Sequence, residues 1–325
     1  MLKNNFRIIG IDKKHTKNIL RKDRLKILKK FKNFRYIDKD LSINKSLNIK
    51  EKVNFVIHLA AKPGVRESIR KPRLYFDNNV LAFFNIIDFV REKKIDYFIY
   101  ASSSSVYGNL KNKIAKENEE NLNPLSFYAV TKQINEIIAK NYYQIHQVKS
   151  IGLRFFSVYG SYGRSDMAYY KFPLQIKKNH TIHLNNSGND QRDFTHVDDI
   201  TDGIFKIIKR INNIKKFPIL LNFGSNKPLK VKKIISMLEK NLNKKIKLVL
   251  SKKNYLDPDK TNADITRAKK LIKYKTNIKF EKGYKDFIDW FKNYHKSENQ
   301  EYGYISASIQ YNAPENGHGA QCHHD

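Results

Sequence analysis

Tyr128 and Lys132 stand four residues apart in Ser126-Phe127-Tyr128-Ala129-Val130-Thr131-Lys132, a stretch whose pattern reads as helix. On a helix that spacing places the phenol and the ammonium on one face, one turn apart. A cation beside a phenol favours the phenolate, so the spacing predicts a Tyr128 pKa lowered from the usual ~10. A tyrosine tuned in this way can take or give a proton near neutral pH. Such pairs are common on helices, so the elements that would position this one carry the argument.

Apolar runs at residues 5–12, 34–37, 53–58, 97–101 and 149–155 read as strands. Helical periodicity separates them at 17–32, 74–91 and from Tyr128 to about His146. Residues 53–58 are continuously apolar, which suits a strand covered on both faces. Strands alternating with helices in this way predict an α/β fold with a doubly wound parallel sheet. In such sheets ligands bind at the carboxyl ends of the strands. Asp12, His58, the serines 102–105 and Phe155-Phe156-Ser157 all fall at such ends. After Gly160 the texture changes. Strands are expected at 181–184, 219–223 and 245–250, and helices at 200–211, 229–242, 265–272 and 280–294.

The chain carries 63 Lys and Arg against 31 Asp and Glu, a net charge of +32. The lysines are spread over nearly every expected helix and loop, together with many Asn and Ile, so no basic face is implied. Nucleic acid is therefore not expected as the partner, although anionic ligands are favoured by the general field. No apolar run approaches the ~18 residues of a membrane span. The only cysteine, Cys322, excludes an internal disulfide and a cysteine zinc site, and a cytoplasmic protein is expected. Residues 297–325 lack periodicity and are expected to be disordered. His318, Cys322, His323 and His324 in that stretch have no fixed geometry to hold a metal, and no metal site is expected.

Several stretches together resemble the extended short-chain dehydrogenase/reductase family, and within it the nucleotide-sugar 4-epimerases. They are His58-Leu59-Ala60-Ala61, Ser102 to Gly108, Tyr128-x-x-x-Lys132, Arg154 to Gly160 and Arg192 to Asp199, in family order. Gly64-Val65-Arg66 with Ser68, the four serines and Gly163 to Ala168 look most like the UDP-glucuronate 4-epimerase branch, which has Pro where Ser165 stands. The resemblance implies a Rossmann-like dinucleotide-binding domain over residues 1–160, with returns at about 191–224. A smaller substrate domain would comprise 161–190 and 225–296. It implies bound NAD, a UDP-sugar substrate, a role in surface polysaccharide synthesis and a homodimer. Tyr128 would take the sugar 4-hydroxyl proton, Lys132 would hold the nicotinamide ribose, and Ser103 would hydrogen-bond the reacting oxygen. Asp12 would meet the adenosine ribose, Asp40 the adenine, and His58, Ala60 and Ala61 would line the cofactor. Ser104, Arg66 and Arg164 would face the sugar and its carboxylate, and Arg192 the diphosphate, whose oxygens a guanidinium grips with paired donors. A 4,6-dehydratase of the same family would carry Asp-Glu where Ser104-Ser105 stand. A UDP-sugar-binding protein with little catalysis is the other alternative.

One part of the pattern is missing. The opening strand, glycine-rich phosphate turn and helix should precede the acidic strand end by roughly 20 residues. Here Asp12 follows only eleven residues, with Gly10 the sole glycine before it. The absent strand would lie between those at 5–12 and 53–58, leaving a slot about twice the ~4.8 Å strand spacing. A start upstream of Met1 is the preferred explanation and a natural truncation the alternative; the DNA in frame before Met1 distinguishes them.

Overall fold

The computed structural model describes residues 1–13, 19–43, 47–111, 113–243, 245–252 and 257–301. Strands β1 (Ile8–Asp12) and β2 (Phe34–Asp38) flank α1 (Ile19–Leu28). Strand β3 (Phe55–His58) leads through α2 (Val65–Arg70), α3 (Pro72–Tyr75), a π-helical turn (Phe76–Leu81) and α4 (Ala82–Glu92) to β4 (Tyr97–Ser103). A 3-10 turn (Ser104–Tyr107) precedes α5 (Phe127–His146), β5 (Ser150–Phe155) and β6 (Ser157–Tyr159). Next come α6 (Ala168–Lys177), β7 (Ile182–Asn185), β8 (Gln191–His196), α7 (Val197–Lys209) and β9 (Ile219–Phe223). The described part ends with β10 (Pro228–Lys230), α8 (Lys232–Leu242), β11 (Leu248–Ser251), α9 (Thr266–Ile272) and α10 (Phe280–Glu301).

Four strands in the order β3-β4-β5-β9, all parallel, form the largest sheet. Its alternation sorts side chains to two faces. Phe98 and Tyr100 of β4 join Phe83, Ile86, Ile87 and Val90 of α4, whereas Ile99 joins Ile200, Ile204 and Ile207 of α7. Each of these buried side chains contributes about 1.5–3 kcal/mol relative to exposure. The sheet is thus an α/β sandwich with its strand ends directed to one rim, as the apolar runs predict.

The sheet is also split. β1 and β2 pair with each other in parallel, Ile8 opposite Phe34 through Asp12 opposite Asp38, and form a separate two-stranded sheet. Ile9, Ile11 and Ile37 pack onto the cluster around α4. Among the described residues no strand bridges β1 to β3.

Some segments pack elsewhere than expected. β9 returns to the large sheet, but β8 pairs with β6 and with antiparallel β10, a strand the helical reading of 229–242 obscured. Ala263, Ile265, Ala268, Ile272 and Tyr274, expected in the smaller domain, pack into the core beneath the large sheet. Residues 74–91 are not one helix, because the π-turn interrupts them. Helix α10 continues to Glu301, five residues into the stretch expected to be disordered; the rest of that stretch, with its histidines and Cys322, lies outside the described residues. Among the described residues no group of His, Cys, Asp or Glu could hold a metal, and no helix is long and apolar enough to cross a membrane.

Candidate active site

Ser126 caps α5, its hydroxyl accepting the Ala129 amide at 3.2 Å. The cap satisfies one of the first-turn N–H groups and fixes where the helix begins. Tyr128 therefore lies in the first turn and Lys132 one turn on, facing the carboxyl end of β4. Lys132 is 2% exposed and its ammonium donates to the Ala101 carbonyl at 2.8 Å. Burial pushes its pKa down to about 8, against the pull of Glu136. The Ser103 side chain lies near enough to the Tyr128 phenol to favour its phenolate, and its hydroxyl accepts the Ser105 amide at 3.1 Å, which holds the serine turn. Ser104 begins that turn and is half-buried.

The structure corrects the expected electrostatics of the pair. Tyr128 has a raised pKa, because burial outweighs the nearby Ser103 side chain and the field of Arg164. The cation that acts on the phenol is Arg164, 36 positions away in sequence, and Lys132 spends its charge on Ala101 and on neighbouring His58. His58 is buried at the end of β3 against the edge of the Phe83 ring, and its pKa falls to about 3 through burial and then the Lys132 charge. It is a neutral imidazole at all physiological pH values. Ala60 and Ala61 follow it, partly buried.

Arg164 forms a two-point pair with Asp166 at 3.0 and 2.5 Å. Its loop is fixed by close approach: a Cβ on Gly163 would lie 1.7 Å from the Tyr169 hydroxyl. Tyr75 completes this side of the site, its ring edge-on to Tyr128 at 6.4 Å and its hydroxyl donating to Pro63 O at 2.7 Å.

The other arginines gather elsewhere. Arg66 pairs with Asp257 at 3.1 Å, while half-buried Arg192 donates to the Gln191 and Pro258 carbonyls at 2.9 and 2.8 Å. Asp257 thus stands between Arg66, which it pairs with, and Arg192, whose charge it also feels, the arginine expected at the diphosphate. Asp12 ends β1 with its carbonyl accepting from Tyr36 at 2.8 Å. Asp40 is pushed up by burial but held below the usual range overall by Ser42, at 2.6 and 2.9 Å, and by the Lys13 ammonium at 3.0 Å.

The sequence reading missed Glu136, Tyr75 and Asn79. Asn79 lies inside the π-turn, accepts the Lys62 amide at 2.7 Å, and donates to Lys62 O and to the Thr131 hydroxyl, both at 3.1 Å. It ties the loop after β3 to the turn of α5 that carries Lys132. Such turns recur at functional sites, and the polar run Asp77-Asn78-Asn79 inside a mostly apolar helix was the available signal.

A buried lysine and a polarised phenol at the strand ends of a parallel sheet define an enzyme that moves protons beside a dinucleotide. The chain belongs to the NAD dependent epimerase/dehydratase family, whose model matches residues 1–222. It is 30% identical over 297 residues to a UDP-glucuronate 4-epimerase of Thermodesulfobacterium geofontis, covering 90% of each chain. It is 34% identical over 320 residues to Protein CapI of Staphylococcus aureus, covering 91% of this chain and 94% of that one. The UDP-glucuronic acid 4-epimerase of Bacillus cereus, in complex with UDP-glucuronic acid and NAD, superposes with a TM-score of 0.82 at 29% identity, over 90% of this chain and 94% of that one.

The described residues fit one half of NAD. Buried Lys132 and His58, with Ala60 and Ala61, make a shielded wall beside Tyr128 for the nicotinamide end. They do not fit the diphosphate half: among the described residues between β1 and β3 no glycine-rich turn offers amides. The cleft of about 540 Å³ beside β3 is lined by Met1, Ile57, Leu59 and Phe205 and by the carboxylates of Asp198 and Asp202, which repel phosphate.

Proposed function

We propose that the protein epimerises a UDP-sugar at C4, with UDP-glucuronate and UDP-galacturonate as its substrate pair. The convergence of Tyr128, Ser103 and Arg164 carries this reading, because it sets a proton acceptor, a hydroxyl and a cation around one space. NAD, when bound, supplies hydride acceptance and return at C4. Tyr128 moves the 4-hydroxyl proton, and Ser103 holds the oxygen it leaves. Arg164 meets the sugar carboxylate and shares it with Asp166. Arg192 and Arg66 meet the diphosphate, Ser104 the sugar, Lys132 the nicotinamide ribose, and Asp12 and Asp40 the adenosine end. The serines 104 and 105 offer no carboxylate for the elimination a dehydratase performs.

The product would feed surface polysaccharide synthesis in the cytoplasm. A homodimer is proposed through α4 and α5, where Phe84, Ile137 and Ile145 are 38%, 61% and 64% exposed. The split sheet favours a second reading, a protein that binds UDP-sugars but retains NAD poorly. Incubating the purified protein with UDP-glucuronate, UDP-galactose and UDP-N-acetyl sugars, with mass spectrometry of its bound NAD, separates them. Turnover of UDP-glucuronate supports the epimerase; UDP-sugar binding without NAD or turnover supports the second reading.

A further inference from the structure

Three side chains of α5 recur at intervals of four, Tyr128, Lys132 and Glu136, and so share one helix face. They meet three consecutive residues at the end of β4. The Tyr128 phenol stands beside Ser103, whose side chain favours the phenolate. Lys132 donates to Ala101 O at 2.8 Å, and Glu136 Oε1 accepts from the Ser102 hydroxyl at 2.5 Å. From the other side Arg154 of β5 grips both carboxylate oxygens of Glu136, Nε to Oε1 at 2.9 Å and Nη2 to Oε2 at 2.7 Å. The guanidinium is itself pinned over the Tyr107 ring at 4.6 Å, and the Tyr107 hydroxyl donates to Asn222 of β9 at 2.8 Å. Glu136 and Arg154 are 9% and 2% exposed. Glu136 of α5 thus joins β4 through Ser102 and β5 through Arg154.

We propose that Glu136, locked by Arg154, is a positioning residue for proton transfer: it fixes the register of α5 against β4 and thereby the Tyr128–Ser103 contact. This rests on the reading of Tyr128 as the proton-transfer group. A carboxylate held on one side by Ser102 and on two atoms by Arg154 cannot follow a small slide or rotation of the helix. Ser102 immediately precedes Ser103, so any slip at Glu136 is passed to the phenol within one residue. Hydrophobic side chains of similar volume could fill the same space and keep the fold, because buried ion pairs contribute little net stability. They could not set register to a fraction of an ångström, since apolar contacts are not directional.

The test is the double variant Glu136→Met/Arg154→Met, which removes no net charge and so leaves the long-range field at Tyr128 nearly unchanged. The first readout needs neither cofactor nor substrate: the titration of Tyr128, followed by NMR of 13Cζ-labelled tyrosine and assigned by its loss in Tyr128→Phe. The expected result is a melting temperature close to wild type, an upward shift in the Tyr128 titration as the Ser103 contact loosens, and a loss in kcat of about tenfold or more with KM unchanged. A well-folded double variant with wild-type titration and kcat overturns the proposal. Should it fail to fold, Ser102→Ala, which leaves the ion pair intact, carries the same test: a shifted Tyr128 titration supports the proposal and an unshifted one overturns it. Full turnover in Tyr128→Phe would instead sink the proton-transfer reading, without touching the titration result.

Discussion

The rim where α5 meets β4 and the β1–β2 sheet are both parallel α/β structure, yet they are held in different ways. At the rim, Ala101 and Ser102 are each bonded to the helix, and the side chains of the Glu136–Arg154 pair are 8% and 2% exposed. Around β1 and β2 the cations and carboxylates are half in water: Lys13–Asp40 at 37% and 26%, Arg35–Glu51 at 49% and 51%. No residue of β1 or β2 is fully buried. The Tyr128–Lys132 side is held by buried polar bonds, whereas the β1–β2 side leans on partly buried apolar residues and on scattered hydrogen bonds such as those from Lys13 to Asn78 and from Asn85 to Leu41 O. Chemistry that needs sub-ångström placement is located where hydrogen bonds from separate elements converge.

The largest expected effect tests the rim itself. Tyr128→Phe lowers turnover by about 10²- to 10⁴-fold while UDP-sugar affinity, read by calorimetry, stays within about twofold. A second break is Arg154→Ala, which strands the Glu136 carboxylate and costs about 3–5 kcal/mol, measured as a shift in urea denaturation. A loss no larger than that of an exposed pair would erase the contrast between the two regions.

The third prediction uses pH. His58 is neutral in the folded protein down to about pH 3, whereas in the unfolded chain it binds a proton below about 6.5. The unfolded state holds more protons in that window, so stability contributed here falls as pH falls from about 6.5 to 3. Lys132 behaves in the same sense at the other end: its burial costs most below about pH 8, and the cost is relieved as pH rises toward 10.5. Denaturation midpoints of wild type and His58→Asn should therefore converge on acidification, with parallel curves counting against the assignment. The smallest effect belongs to the other region. Arg35→Ala should change stability by no more than about 1 kcal/mol, fading with salt.

What could be read in the sequence was what local pattern encodes. The runs at 53–58, 97–101 and 149–155 are strands because apolar stretches of that length between helices have few other solutions. Tyr128 and Lys132 share a face because helix geometry requires it. Burial was not visible, and so the direction of the Tyr128 shift was reversed: spacing reports which groups are neighbours, while desolvation depends on everything packed around them. Glu136 looked like an ordinary solvated helix position until Arg154 arrived from β5. Arg66 was grouped with Arg164 by likeness of chemistry, and its partner Asp257 lies 191 positions away. Periodic reading also assumes 3.6 residues per turn, so it passed over the π-turn at Phe76–Leu81.

That turn constrains what mutation can do to this part of the chain. Each helical residue advances the face by about 100°, so a one-residue deletion within 76–81 that restored regular α-helix would rotate all that follows. Phe83, Ile86, Ile87 and Val90, all buried under the large sheet, would swing toward solvent, and Asn79 would lose the Lys62 loop and Thr131 together. The irregularity is therefore a ratchet. Once the downstream face has been fitted around the extra residue, point substitutions can tune this helix, but its length is no longer free to change.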